Sequence, residues 1–136
     1  MAEEQNIKVV QAAYAAFGRR DIAGVLEALD DSIAWYPTQG AAPEVPLAGP
    51  HLGKAAVKEF FRLVDEYEQF EVFDPQEFIA KGDKVIVLGH FTVVVKTTGR
   101  KFDCDWVMVY QMKNGKVVKF QEFSDSAGIN AAFAGS

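Results

Sequence analysis

The carboxyl group best placed for acid–base chemistry in this 136-residue chain belongs to Glu122. Side chains alternate along a β-strand, so Glu122 shares one strand face with Phe120 and Ser124. Val118 lies further along the same face. If this face is buried, the loss of water raises the pKa of the carboxyl group and suits it to proton transfer near neutral pH. The alternative is a solvated carboxylate at the rim of the fold, paired with a Lys or Arg.

Two more side chains are candidates for the same chemistry. Asp125 follows Glu122 closely and could supply a second acid or base. Its position just before residues 126–133 favours another role, that of N-cap to a C-terminal helix. Tyr36 ends a short apolar segment, and its phenol can donate a hydrogen bond to a substrate oxygen or act as an acid in a dry site. It can also simply fill space.

The histidines and the cysteine give weaker signals. His51 and His90 lie far apart with no third ligand at zinc-like spacing, so no metal site is predicted. His51 could donate a hydrogen bond at the rim of a pocket, although a solvated loop histidine is commoner. Cys104 has no neighbouring base and is interpreted as an inert buried thiol. No phosphate-binding loop is apparent, and no cofactor is predicted.

The elements that position these residues change character halfway along the chain. Apolar residues follow helical spacing in three segments of the chain. These are residues 7–17, residues 22–29 after the N-cap candidate Asp21, and residues 57–64. A short strand at 33–36 and a proline-rich loop at 37–53 precede the third helix.

Alternating apolar residues then predict an antiparallel meander, with turns such as Asn114-Gly115 between its strands. The predicted strands cover residues 70–80, 84–97, 102–113 and 116–124. Helices followed by such a meander predict an α+β fold in which helices cover one face of a curved sheet. A cavity is expected between the two layers.

Composition narrows the range of partners. A net charge of -5 and the absence of a basic cluster argue against nucleic acid. The longest apolar run, residues 85–95, is too short for a membrane helix. One cysteine and an acidic N-terminus without a signal sequence suit a cytoplasmic protein. The length fits a single domain of residues 1–136.

Several short stretches, each weak alone, occur in a familiar order. They are Val9-Val10-Gln11, Asp30-Asp31-Ser32, Tyr36-Pro37, His51-Leu52-Gly53-Lys54 and Asn114-Gly115-Lys116-Val117-Val118. In order and spacing the chain resembles the nuclear-transport-factor-2-like superfamily, and in particular its ketosteroid-isomerase-like and SnoaL-like branches. The resemblance covers nearly the whole chain. It implies a cone-shaped, curved antiparallel sheet packed against three N-terminal helices, in a fold that carries many functions.

The resemblance does not extend to the three polar groups of ketosteroid isomerase. Tyr36 stands where that family has its general-base aspartate before a proline. Ala13 stands where it has its oxyanion tyrosine, with Tyr14 about 100° further round the helix. The position of its protonated aspartate falls on Val107 or Met108. We therefore predict no ketosteroid isomerase activity.

By the same resemblance, the concave face of the sheet forms an apolar pocket for a small cyclic or polyketide-like molecule. Besides Glu122, Tyr36 and Asp125, the predicted pocket residues are Trp35, His51, Phe91, Trp106, Met108, Tyr110 and Phe120. Such a ligand needs a pocket of about 300 Å³ or more.

Three functions fit this prediction. The first is a cofactor-free isomerase, cyclase or dehydratase, the second a non-catalytic module that binds a ligand or a protein, and the third a structural dimer with a filled pocket. Under all three we expect a homodimer through the outer face of the sheet, which is rich in β-branched residues.

Overall fold

The computed structural model describes residues 2–134, in which four helices frame one sheet. The helices are α1 (Ala2–Gly18), α2 (Ile22–Glu27), α3 (Lys54–Tyr67) and α4 (Ser126–Phe133). Asp21 caps α2 as predicted, because its Oδ1 accepts a hydrogen bond from Gly24 N at 3.0 Å. Leu29, expected on this helix, instead begins the first strand.

The sheet has six strands in the spatial order β2-β1-β6-β5-β4-β3. They are β1 (Leu29–Tyr36), β2 (His51–Leu52), β3 (Glu68–Lys81), β4 (Lys84–Val95), β5 (Lys101–Lys113) and β6 (Lys116–Phe123). The predicted α+β fold with a curved sheet against helices is confirmed. The sheet is mixed, however, because β1 and β6 pair in parallel while all other neighbours are antiparallel.

Burial along the strands tests the predicted inward faces. Every second residue is buried on β4, and on β5 as well except for the half-buried Cys104, which confirms the inward set that includes Phe91, Met108 and Tyr110. On β6 the alternation breaks, since Val117 is buried and Val118 is only half-buried. The register with β5 shifts between Gln111 and Met112, because Met112 pairs with Val117 and Gln111 with Lys119. This irregularity moves the inward position on β6 by one residue. The prediction for Val118 is therefore wrong, whereas that for Phe120 and Glu122 is confirmed.

The concave face is shaped by one close approach between neighbouring strands. Gly89 on β4 pairs with Trp106 on β5, and the indole lies directly over the glycine. A Cβ atom at position 89 would lie only 2.3 Å from Trp106 Cζ2. Glycine at this position therefore lets the large ring lie flat in the core.

The outer face of the sheet carries a polar cluster, as the strand alternation predicts. His90 Nδ1 lies 2.8 Å from Asp105 Oδ1, and its Nε2 contacts Asp103 Oδ1. Hydrogen bonds from the His90 ring to the Asp105 and Asp103 carboxylates raise the pKa of His90. The homodimer expected through this face stays a prediction, as does the cytoplasmic location. Within residues 2–134, no helix has both the length and the apolar character to cross a membrane.

Candidate functional site

A cavity of about 90 Å³ lies between the concave face of the sheet and helices α1 and α3. Most of its wall is apolar and much of that is aromatic. This volume is smaller than the roughly 300 Å³ expected for the predicted ligand class. Two carboxyl groups, those of Glu122 and Glu68, belong to the wall.

Glu122 is held in the cavity by the loop that follows β1. Its side chain is 7% exposed, and its Oε1 accepts a hydrogen bond from Thr38 N at 3.1 Å. The Glu122 carbonyl also accepts a hydrogen bond from Gln39 N at 3.1 Å. Burial raises the pKa of Glu122 to about 7, against the opposing effect of the Thr38 hydrogen bond. Of the two alternatives for Glu122, the structure shows the buried carboxyl group and not the solvated one at the rim.

Thr38 itself adopts an unusual backbone conformation. Its φ is 46°, in the left-handed region that β-branched residues rarely occupy. Such conformations persist where the surrounding structure enforces them, and they cluster at functional sites. Here the strained residue is the one that presents its amide to Glu122.

Glu68, which the sequence analysis missed, is the second carboxyl group of the cavity. It follows α3 as its C-cap and is the first residue of β3. The residue is 9% exposed. Burial and the nearby charge of Glu122 raise its pKa to about 8. Its signal was present in the sequence, because Glu68 continues the buried helical spacing of Phe60 and Val64 by one more turn.

Two tyrosine hydroxyls meet at a methionine sulfur in the same wall. Tyr14 Oη donates a hydrogen bond to Met108 Sδ at 3.0 Å, and Tyr110 Oη approaches the same sulfur at 3.8 Å. Burial raises the pKa of both phenols, so both stay protonated and able to donate. Tyr14 lines the cavity beside Ala13, although its rotation about the helix argued against a role like that of the isomerase tyrosine.

Some buried donors have no hydrogen-bond partner among residues 2–134. Trp35 Nε1 and Thr38 Oγ1 are both unpaired, and both residues line the cavity with Glu122. An unpaired buried donor costs about 1–3 kcal/mol. A hydrogen-bond acceptor that reached either donor would recover that cost.

Most of the predicted pocket residues do line the cavity. They are Trp35, Phe91, Met108, Tyr110, Phe120 and Glu122. Trp106 packs behind this wall, with its ring centre 5.5 Å from that of Phe73. His51 contacts the Leu47 carbonyl at 3.2 Å and the ring of Phe60, and lies outside the lining.

Two predicted catalytic residues lie away from the cavity. Tyr36 follows the inward-facing Trp35, so alternation turns it to the outer side, where Lys119 Nζ lies 5.8 Å from its ring centre. The structure therefore does not bring Tyr36 to the cavity wall. Asp125 is exposed and caps α4, since its Oδ1 accepts a hydrogen bond from Gly128 N at 2.9 Å. The capping interpretation of Asp125 is confirmed, and its acid–base role is not supported.

On one side, the cavity is separated from an open surface groove by a layer one residue thick. This shared wall consists of Phe17, Phe61, Val64, Glu68, Phe70 and Phe73, each of which lines both spaces. The Phe17 ring centre lies 5.8 Å from that of Phe61 and 5.1 Å from that of Phe73. The groove therefore lies just beyond these rings.

Comparison with known proteins gives consistent matches. A family model for the SnoaL-like domain matches residues 10–120. An NTF2-like protein from Burkholderia xenovorans LB400 is 32% identical, with a TM-score of 0.88 and 98% of each chain covered. TerC, co-crystallised with polyporic acid, is 30% identical, with a TM-score of 0.81 and coverage of 95% of this chain and 98% of its own.

A candidate SnoaL-like polyketide cyclase from Mesorhizobium loti is 26% identical, with a TM-score of 0.69 and coverage of 85% of this chain and 96% of its own. A search of curated proteins gave no match.

Proposed function

Because this chain belongs to the SnoaL-like domain family, whose fold alone leaves the activity open, we propose its function from the cavity. It is a cofactor-independent enzyme that transfers protons on a small cyclic ketone, with Glu122 as the proton carrier. The observation that carries the proposal is the buried carboxyl group of Glu122 in an aromatic wall, with a pKa of about 7. A base is most effective when its pKa lies near the working pH.

The proposed step is proton removal from the carbon beside a carbonyl group. Ionised Glu122 takes the proton, and the electron pair of the C–H bond moves towards the carbonyl oxygen. That oxygen gains negative charge and needs donors. Trp35 Nε1 and Thr38 Oγ1, which have no partner among residues 2–134, belong to residues that line the cavity with Glu122 and would supply them. Returning the proton to another carbon completes an isomerisation.

The ligand class rests on the lining and on two related proteins. The apolar wall favours an apolar cyclic molecule. TerC was crystallised with polyporic acid, and the Mesorhizobium loti relative is a candidate polyketide cyclase. A ligand larger than the cavity of about 90 Å³ requires side chains of the wall to move. We expect that movement in the shared wall, which is one residue thick.

Deuterium exchange on cyclohexanone tests the proposal without knowledge of the natural substrate. Proton NMR in D2O would follow loss of the hydrogens beside the carbonyl with wild type, Glu122→Gln and the control Glu77→Gln. Glu77 is an exposed residue of β3, remote from the lining. We expect wild type and Glu77→Gln to accelerate exchange, and Glu122→Gln to lose at least about 100-fold of that acceleration.

Equal exchange by wild type and Glu122→Gln would rule out Glu122 as the proton carrier. If polyporic acid quenches the tryptophan fluorescence of wild type but wild type catalyses no exchange, the cavity is a non-catalytic binding site. Trp35 in the lining makes that fluorescence sensitive to occupancy.

A further inference from the structure

We propose that Glu68 is a second catalytic residue and that the substrates are cyclic ketones with a hydroxyl group on the second carbon from the carbonyl. Glu68 protonates the departing hydroxyl while Glu122 removes the proton from the carbon between the two groups. The reaction is an elimination of water. The inference rests on the proposed role of Glu122 and adds the acid, the leaving group and the substrate class.

The two carboxyl groups reach the cavity from different parts of the fold. Glu122 lies on β6, whereas Glu68 lies where α3 passes into β3. Strands β5 and β4 separate β6 from β3 in the sheet. Met108 of β5 and Phe91 of β4 line the cavity between them. A ligand lying on these two side chains would therefore be flanked by a carboxyl group on each side.

Charge makes the two groups chemically different. The lining of the cavity, all of it within the described residues, contains no Lys, Arg or His, and the basic side chains of Arg20, Lys58, Arg62 and Lys96 line only the groove. Two negative charges in one apolar cavity are unfavourable, so one group keeps its proton. Glu122 accepts the Thr38 amide hydrogen bond, which favours its ionised form. The pKa of Glu68 is raised further, to about 8, so Glu68 is the group that holds the proton.

The position of Glu68 in the shared wall also provides a route for proton return. Glu68 lines both the cavity and the open groove, whereas Glu122 lines only the cavity. After giving its proton to the product water, Glu68 can regain one from the solvent side. An acid that faces both spaces can thus be reset without opening the site around Glu122.

The step balances without any co-reactant. Glu122 takes the proton, the C–H electron pair becomes the new carbon–carbon double bond, and the C–O bond to the hydroxyl breaks. The hydroxyl leaves with its bonding pair and receives the Glu68 proton, forming water. The products are an unsaturated cyclic ketone and water, with Glu122 protonated and Glu68 ionised. Glu68 regains a proton from the groove, and Glu122 passes its proton to the water in the cavity, with which that proton leaves.

The test uses 3-hydroxycyclohexanone, which differs from cyclohexanone by the leaving hydroxyl alone. Formation of cyclohexenone would be followed by its ultraviolet absorbance from pH 5.5 to 9.5 with wild type, Glu68→Gln, Glu68→Asp and Glu77→Gln. For wild type we expect a bell-shaped profile with its maximum between about pH 7, the pKa of Glu122, and about pH 8, the pKa of Glu68. Glu77→Gln should match wild type.

For Glu68→Gln we expect the rate of elimination to fall at least about 100-fold, a larger loss than that of cyclohexanone exchange. The decline of the elimination rate at high pH should disappear. Glu68→Asp, which keeps a carboxyl group, should retain that decline and so controls for misfolding of the Gln variant. A Glu68→Gln protein with wild-type elimination and an unchanged bell would overturn the role of Glu68 alone. Absence of cyclohexanone exchange in wild type would instead overturn the proposed function.

Discussion

Replacing Glu122 by Gln should change how the stability of the protein depends on pH. The folded chain raises the pKa of this carboxyl group from 4.5 to about 7, because the side chain is buried. The folded state therefore holds the proton more tightly than the unfolded state does. The stabilisation from this protonation is fully present below about pH 4.5 and is lost as the pH rises to about 7.

The size of the effect follows from the two pKa values. Moving a pKa from 4.5 to about 7 corresponds to about 3 kcal/mol in the free energy of unfolding. Wild type should lose most of this amount between pH 5 and pH 8. Gln at position 122 does not titrate, and its amide oxygen can still accept the Thr38 N–H bond. The stability of Glu122→Gln relative to wild type should therefore rise by about 2.5 kcal/mol across this range.

Urea denaturation followed by circular dichroism at pH 5, 6, 7 and 8 would measure the difference between the two proteins. Taking the difference removes groups whose titration does not depend on Glu122, such as His90, whose raised pKa also reduces stability as the pH rises. Burial, the larger cause of the raised Glu68 pKa, is likewise common to both proteins. The exposed control Glu77→Gln should follow wild type at each pH. A difference between Glu122→Gln and wild type that stays constant from pH 5 to pH 8 would refute the assignment of a raised pKa to Glu122.

Two further changes test other parts of the fold. Gly89→Ala should destabilise the protein by about 1–3 kcal/mol, since the new methyl group would lie 2.3 Å from Trp106 Cζ2; a thermal unfolding midpoint equal to that of wild type would contradict this packing. Asp125→Ala should lower the free energy of unfolding by about 1 kcal/mol because it removes the N-cap of α4, and Asp125→Asn should lower it much less. Cyclohexanone exchange by Asp125→Ala should equal that of wild type. Loss of exchange in this variant would show that Asp125 takes part in the reaction.

The sequence was most informative where one periodicity runs without interruption. The alternation along β4 and β5 groups Phe91 on one face of its strand and Met108 with Tyr110 on one face of theirs, and the family resemblance identifies these faces as concave. It also oriented Glu122, despite the irregularity earlier in β6 that misplaced Val118. Such an irregularity leaves no clear mark in the order of residues, because both neighbouring positions carry valine.

Positions at which one periodicity gives way to another were harder to predict. Glu68 lies where a helix ends and a strand begins, so only the helical spacing, extended one turn beyond Val64, identifies it as buried. Tyr36 was placed in the pocket by its correspondence to a family position, whereas the strand turns its side chain outward. The cavity volume depends on how the aromatic rings pack against one another, which one sequence does not determine.

The parallel pairing of β1 with β6 has a consequence for the order in which the fold can form. The strand synthesised last lies between β1 and β5, in the interior of the sheet. Until β6 has left the ribosome, β1 and β5 both present an unpaired edge to other chains, and such edges promote aggregation. Because β6 also carries Glu122, the chain acquires its central strand and its candidate proton carrier in the same late step.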